Sequence, residues 1–286
     1  MLSEREETTV PRPRALDTAT LAEAFQVTVS ERGEQTALRT KDDEFHATWA
    51  EYGERVRAVA AGLAALGVGR GDTVGIMLTN RPEFHFADTA AMHLGATPFS
   101  LYNTSTAEQI EYLVADAGNA ALVTEQAFLD TVLAVREGDN ALQHVVVVDG
   151  EPRDGAISLA ELESRGEEGF DFEATWRSVE AEDLATVIYT SGTTGPPKGV
   201  QLSHGNILSA FRSFDEIFRL PGEGGLISWL PMAHIAERNA THYGPIGSGV
   251  ATTCCPDPRQ VVAYLAEVRP VWFFAVPHAW LASAQS

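Results

Sequence analysis

Apolar residues along this chain keep two rhythms, stripes at helical spacing and short unbroken runs, and the two alternate from Leu16 onward. Leu21, Ala24, Phe25 and Val29 lie on one helical face, and a polar turn at 31–34 follows. Thr48 and Glu51 have capping-box spacing ahead of Trp49, Tyr52, Val56, Ala60 and Leu63, and Gly67 stops that stripe. The run TVGIML at 73–78 predicts a strand. Asn80 and Pro82 then open a helix that turns Phe84, Ala87, Ala91 and Leu94 inward as far as Gly95. ATPFSL at 96–101 is strand-like, and a second capping box, Ser105 with Glu108, starts a helix through Ile110, Leu113 and Val114. ALV at 121–123 and HVVVV at 144–148 complete this series.

Residues 150–183 are acidic and hold little apolar periodicity beyond Leu159, Leu162 and Trp176, so they read as a connection, with a boundary near Asp183. Leu184, Val187, Ile188 and Tyr189 then form a buried strand. Further on, Ser203 caps a helix striped by Ile207, Leu208, Phe211, Phe214 and Phe218. Strands are expected at 226–230, 250–255 and 271–276, with a helix through Val261, Tyr264, Leu265 and Val268. Short apolar strands separated by helices predict an α/β fold: two doubly wound, mostly parallel sheets with helices on both faces. The expected organisation is a disordered tail over 1–16, a first α/β subdomain with its acidic connector over 17–183, and a second, incomplete α/β subdomain over 184–286.

Between the strand at 184–189 and the helix at Ser203, the segment 190–199 holds four hydroxyl side chains and three glycines. Gly192, Gly195 and Gly199 let backbone approach a ligand closely, and Thr190, Ser191, Thr193 and Thr194 add hydroxyl donors, a combination that favours an anion such as phosphate. Lys198 supplies a point charge. It is one of only two lysines, with Lys41, beside eighteen arginines, which argues for a chemical reason at that position. A solvated lysine in a surface turn is the plainer alternative. The nucleoside-triphosphate pattern G-x-x-x-x-G-K-[ST] fails at Pro197 and Gly199. The G-x-G of GVGRGD at 67–72 follows a helix rather than a strand, so it reads as a C-cap and turn.

The stretch LPMAHIAER at 230–238 follows a predicted strand. His234, Glu237 and His242 do not have the H-E-x-x-H spacing of a metal site, and no metal is expected there. His204 reads as a solvated helix-start residue, and Cys254 and Cys255 as small core residues. Two adjacent cysteines give no disulfide framework, which points to a reducing, cytoplasmic setting. The N-terminus lacks the apolar core of a signal peptide, and no run is long enough to span a membrane, which leaves peripheral contact open. A formal net charge of −20 argues against nucleic acid or an anionic membrane surface as the main partner.

TSGTTGPPKG at 190–199 resembles, over ten positions, the phosphate-binding signature of the adenylate-forming (AMP-binding) enzymes. With LPMAHIAER and the segments at 84–117 and 255–277, the chain looks most like bacterial long-chain fatty acyl-CoA synthetases. The resemblance implies an AMP-forming acid–thiol ligase that joins a fatty acid to ATP as an acyl-adenylate and passes the acyl group to coenzyme A, with Mg²⁺ accompanying the ATP. It implies that Thr190, Ser191, Gly192, Thr193, Thr194, Gly195 and Lys198 hold the phosphates and that His234 lies near the reacting carboxylate. The family's Y-G-x-T-E and downstream T-G-D motifs, and its C-terminal domain with the catalytic lysine, have no counterpart here. The expectation is therefore the first half of a longer enzyme, inactive alone and served by a separately encoded C-terminal half. A non-catalytic nucleotide- or acyl-binding remnant, or a ligase for another carboxylic acid, stays open beside it.

Overall fold

The computed structural model describes residues 12–190, 195–218 and 223–275. In chain order the first elements are α1 (Leu21–Arg32), β1 (Thr36–Thr40), β2 (His46–Thr48), α2 (Trp49–Ala65), β3 (Thr73–Met77), α3 (Pro82–His93), β4 (Thr97–Ser100), α4 (Ala107–Ala117) and β5 (Ala121–Thr124). Next come α5 (Leu129–Arg136), β6 (His144–Val147), β7 (Ile157–Ser158), α6 (Leu159–Ser164), α7 (Phe172–Arg177), β8 (Leu184–Thr190) and β9 (Lys198–Ser203). The described chain closes with α8 (His204–Ile217), β10 (Gly225–Ser228), α9 (Ile235–Arg238), α10 (Gly244–Ser248), β11 (Ala251–Cys254) and α11 (Val261–Val268). A π turn at Asn239–Tyr243 joins α9 to α10.

Five strands form a wholly parallel sheet in the order β4-β3-β5-β6-β7. Its strands β3 to β6 are the apolar runs of the sequence, buried because helices cover both faces. A second sheet runs β10-β11-β1-β2, parallel except for the β1–β2 hairpin. The α/β class with parallel sheets flanked by helices is as expected. The strands that flank 191–194 belong to neither sheet: β8 and β9 make a separate two-stranded antiparallel pair.

Several local expectations change. The boundary near Asp183 does not separate the sheets, because β1 sits between β11 and β2. One core also runs across it, joining Phe25, Trp49 and Tyr52 to Ile207, Leu208 and Tyr243. Residues 12–16 of the expected tail are ordered: Ala15 and Leu16 are buried, and Arg212 Nε donates to the Leu16 carbonyl at 2.7 Å. Residues 1–11 lie outside the described part. Within 150–183, the three apolar residues Leu159, Leu162 and Trp176 are all buried, which folds this connector into β7, α6 and α7 against the core.

The α2 capping box at Thr48 and Glu51 forms as expected. In α4 the box is Thr106 with Gln109 rather than Ser105 with Glu108; both pairs satisfy the spacing, and the extended backbone at Thr106 selects the later one. Arg81, not Asn80, precedes α3, and Asn80 instead donates to Ser228 Oγ and the Leu230 carbonyl, tying β3's exit to β10's. Residues 271–275 form no strand; Val271 N donates to Gly225 O at 3.0 Å, and Phe274 O accepts from Trp229 Nε1 at 3.0 Å.

Candidate functional site

The β8–β9 ladder closes with Thr190 opposite Lys198 and opens with Leu184 opposite Ser203. Lys198 therefore starts a strand. The helix α8 begins six residues later, about 20 Å along an extended chain. Its amide end lies at the base of the hairpin, opposite Leu184, so its dipole acts away from the Lys198 end. Ser203 does cap it, accepting from Asn206 N.

Two glycines of the segment have steric reasons. Gly195 adopts φ +126°, which residues with a side chain rarely reach. At Gly199 a Cβ would lie 2.7 Å from Val187 Cγ1 and 3.4 Å from the Tyr189 ring, so the strand passes too close for any side chain. Lys198 is exposed and makes no ion pair among the described residues. Ser191, Gly192, Thr193 and Thr194 lie outside the described residues.

A cleft of about 960 Å³ opens at the end of the hairpin. Tyr189, Thr190 and Pro197 line it from the hairpin, Thr106 and Tyr112 from α4, and His234 from the turn after β10. Thr190 and His234 thus share one cavity, with Lys198 next to Pro197 in the chain. His234 is exposed, and its Nδ1 accepts from Ala236 N at 3.1 Å as the cap of α9. That bond fixes the ring: a neutral imidazole with an accepting Nδ1 carries its proton on Nε2 and donates from there.

On the other side of α9 lies a smaller, apolar cavity of about 290 Å³. Phe211 and Phe214 of α8 and Phe218 just past its end line it with Leu16, Trp272 and Phe274, and Ala236 contributes the α9 side. Residues 233–235 line the cleft and Ala236 lines the apolar cavity, so the two adjoin along this turn.

Beneath that turn, Glu237 is buried. Its Oε1 accepts from Trp229 N at 3.0 Å and from Thr241 Oγ1 at 2.9 Å, while Oε2 has no partner among the described residues. Burial pushes its carboxyl up to about 7, against the hydrogen bonds that favour the anion. Next to it, Arg238 is wholly buried and bound to Asp88, Ser100 and Tyr243. His204 also differs from its sequence reading: it is buried, its Nδ1 accepts from Leu21 N at 3.2 Å, and burial lowers it to about 4. The cysteines are buried and unpaired.

The α4 contributions to the cleft were not among the expected site residues. The hydroxyl run Thr104–Ser105–Thr106, of which Ser105 reads as a helix cap, is the available signal. His234, Glu237 and His242 do not come together as a metal site: Glu237 binds Trp229 and Thr241, and His242 binds Asp88 and His85. Among the described residues there is no group of three metal-ligating side chains, and no helix long and apolar enough to cross a membrane.

The AMP-binding enzyme family model matches residues 25–286. A frog (Xenopus laevis) long-chain-fatty-acid–CoA ligase, ACSBG2, is 31% identical over 281 residues, 93% of this chain and 38% of that protein. An uncharacterised Mycobacterium tuberculosis protein is 46% identical over 152 residues, 53% of this chain and 82% of its own length. Among solved structures, a long-chain-fatty-acid–CoA ligase (FadD1) from Archaeoglobus fulgidus shares the fold with a TM-score of 0.79 at 24% identity, covering 94% of this chain and 52% of that one. The chain spans only about two fifths of the frog ligase and half of the archaeal one. With 262 of its 286 residues inside the family match, this chain belongs to the AMP-binding enzymes.

Proposed function

We propose that this chain forms the phosphate-gripping and acid-binding part of an ATP-dependent fatty acid–CoA ligase. One observation carries the reading: a cleft that bears His234 and hydroxyl side chains at the hairpin end and an aromatic cavity are lined by neighbouring residues, 233–235 and 236. A fatty acid divides in the same way, into a carboxylate and an apolar chain.

In this reading Lys198 and Thr190 take the phosphate oxygens of ATP, by a charge-assisted and a hydroxyl hydrogen bond respectively. The Nε2–H of His234 holds a carboxylate oxygen of the acid, and the aromatic cavity takes the acyl chain. Such a site acts by positioning and by neutralising charge rather than by proton transfer. Mg²⁺ commonly rides on phosphate oxygens with one or two carboxylates. Glu108 is the one carboxylate in the described lining of the cleft, too little to fix the ion's place, so no step is derived through it. Coenzyme A as acyl acceptor and a separately encoded C-terminal half belong to the same reading. A cytoplasmic site of action is supported by the buried, unpaired Cys254 and Cys255.

Calorimetric titration of the chain with ATP tests the grip. Saturable binding, weakened by about tenfold or more in Lys198→Ala, is expected from loss of one charge-assisted bond. A wild-type chain that gives no heat with ATP overturns it.

A further inference from the structure

We propose that α4 clamps the phosphate hairpin, with Tyr112 and the Tyr189–Asp116 pair as positioning residues for Lys198; the phosphate part of this rests on the function proposed above. A two-stranded hairpin is marginal on its own in water and needs tertiary support. Here β8–β9 is such a pair, and β9 is exposed from Lys198 to Gln201, so its own side chains give it almost no anchorage.

The base of the hairpin is tied to β4: Thr186 Oγ1 donates to Pro98 O at 2.8 Å. The far end is tied to α4 by two bonds from one helix face. Tyr112 Oη donates to the Pro197 carbonyl at 3.1 Å, one residue before Lys198. Tyr189 Oη donates to Asp116 Oδ2 at 2.8 Å, one residue before Thr190. Tyr112 and Asp116 are four residues apart and so share a face of α4. The two bonds grip opposite strands, because Tyr189 pairs with Gly199 in the ladder. The clamp is itself rooted, since the Tyr189 ring packs edge-on to buried Phe99 with centroids 5.7 Å apart. Tyr112 also lines the cleft, so the contact that holds Pro197 sits where the phosphates would enter.

The sequence supplies a clean reporter. An endoproteinase that cuts only after lysine has two sites in the full chain, Lys41 and Lys198. In Tyr112→Phe and in Asp116→Ala, cleavage at Lys198 should rise about fivefold, the factor given by one lost net hydrogen bond, with Lys41 unchanged as the internal control. Asp116→Asn, which keeps an acceptor for the Tyr189 hydroxyl, should cut at close to the wild-type rate. Sodium tripolyphosphate should protect Lys198 in the wild type, and about fivefold more should be needed in the two clamp variants.

Unchanged cleavage at Lys198 in Tyr112→Phe and Asp116→Ala overturns the clamp. Faster cleavage with unaltered tripolyphosphate protection overturns the positioning role. Absence of protection in the wild type, whatever the variants do, overturns the phosphate reading beneath it, so the failures are told apart.

Discussion

His242 donates from Nε2 to Asp88 Oδ1 at 2.8 Å, and neither side chain has exposed surface. Burial lowers His242, so its ring is neutral and Arg238, bound to the other carboxylate oxygen, balances the Asp88 charge. With the proton on Nε2, His242 Nδ1 accepts, and His85 Nδ1 donates to it across 2.9 Å. His85 Nε2 is then left bare, in keeping with its lack of a partner among the described residues. The chain of groups joins α3 to the α9–α10 segment behind the His234 turn. Asp88→Asn should therefore cost about 3–5 kcal/mol, because it strands a buried guanidinium. Adding Arg238→Met should cost less than the sum of the single losses. Urea unfolding of the three variants measures this; a loss below about 1 kcal/mol for Asp88→Asn contradicts it.

His204 gives the protein an acid limb. Its folded value, about 4, lies below the ordinary histidine value because burial disfavours the charged ring. A base depressed in the folded state contributes stability above its unfolded value near 6.5 and loses it as pH falls toward 4, here up to about 3 kcal/mol. His204→Asn can offer Oδ1 to Leu21 N without titrating. Its unfolding free energy should fall less steeply between pH 6.5 and 4 than the wild type's. Parallel curves for the two proteins sink the assignment. His93, also lowered to about 4 by burial, keeps part of the limb in either protein.

The reach of the sequence follows from where each group's partners lie. The strands at 73–77, 97–100, 121–124 and 144–147 were legible because they are almost wholly buried and so mostly apolar. β1, TALRT, was not: it is central in its sheet yet presents only Ala37 and Leu38 as buried apolar residues. β9 read as loop because its side chains face solvent and carry no period. His204 reads as a surface residue because its partner, Leu21, is 183 positions away, and Arg238 gives no sign of its burial because Asp88 is 150 positions away. No spacing within one sequence records such pairs. Thr190 and Lys198 stand out by residue type and local order and His234 by the family resemblance, and Thr190 and His234 line one cleft.

Gly62 sits inside the long helix α2, where alanine would ordinarily add about 1 kcal/mol. A Cβ there would lie 2.1 Å from the Leu162 carbonyl oxygen and 2.7 Å from its carbon, both backbone atoms of α6. The sign should reverse. Gly62→Ala should destabilise by about 1–3 kcal/mol, since α6 must move away from α2. A thermal melt reads this directly, and a raised midpoint contradicts it.

Glu237 supplies the opposing pH dependence, and closer to the site. Its carboxyl is raised to about 7 because burial disfavours the anion, while an unfolded glutamate titrates near 4.5. An acid raised in the folded state contributes stability that is complete below 4.5 and is lost as pH climbs to 7, up to about 3 kcal/mol. Glu237→Gln keeps an oxygen for Trp229 N and Thr241 Oγ1 and cannot ionise. The two proteins should be alike near pH 4, and the variant should be more stable by about 3 kcal/mol at pH 8. Between pH 4.5 and 6.5 the slopes from Glu237 and His204 have opposite signs and partly cancel in the wild type. His93, His85 and His242, all lowered by burial, add to the His204 side, so the wild-type curve still falls toward acid; Glu237→Gln should steepen that fall and His204→Asn should flatten it. Urea unfolding at pH 4.5, 6.5 and 8 on the wild type and both variants checks the pair, and a Glu237→Gln curve parallel to the wild type's would show that the carboxyl is ionised in the fold.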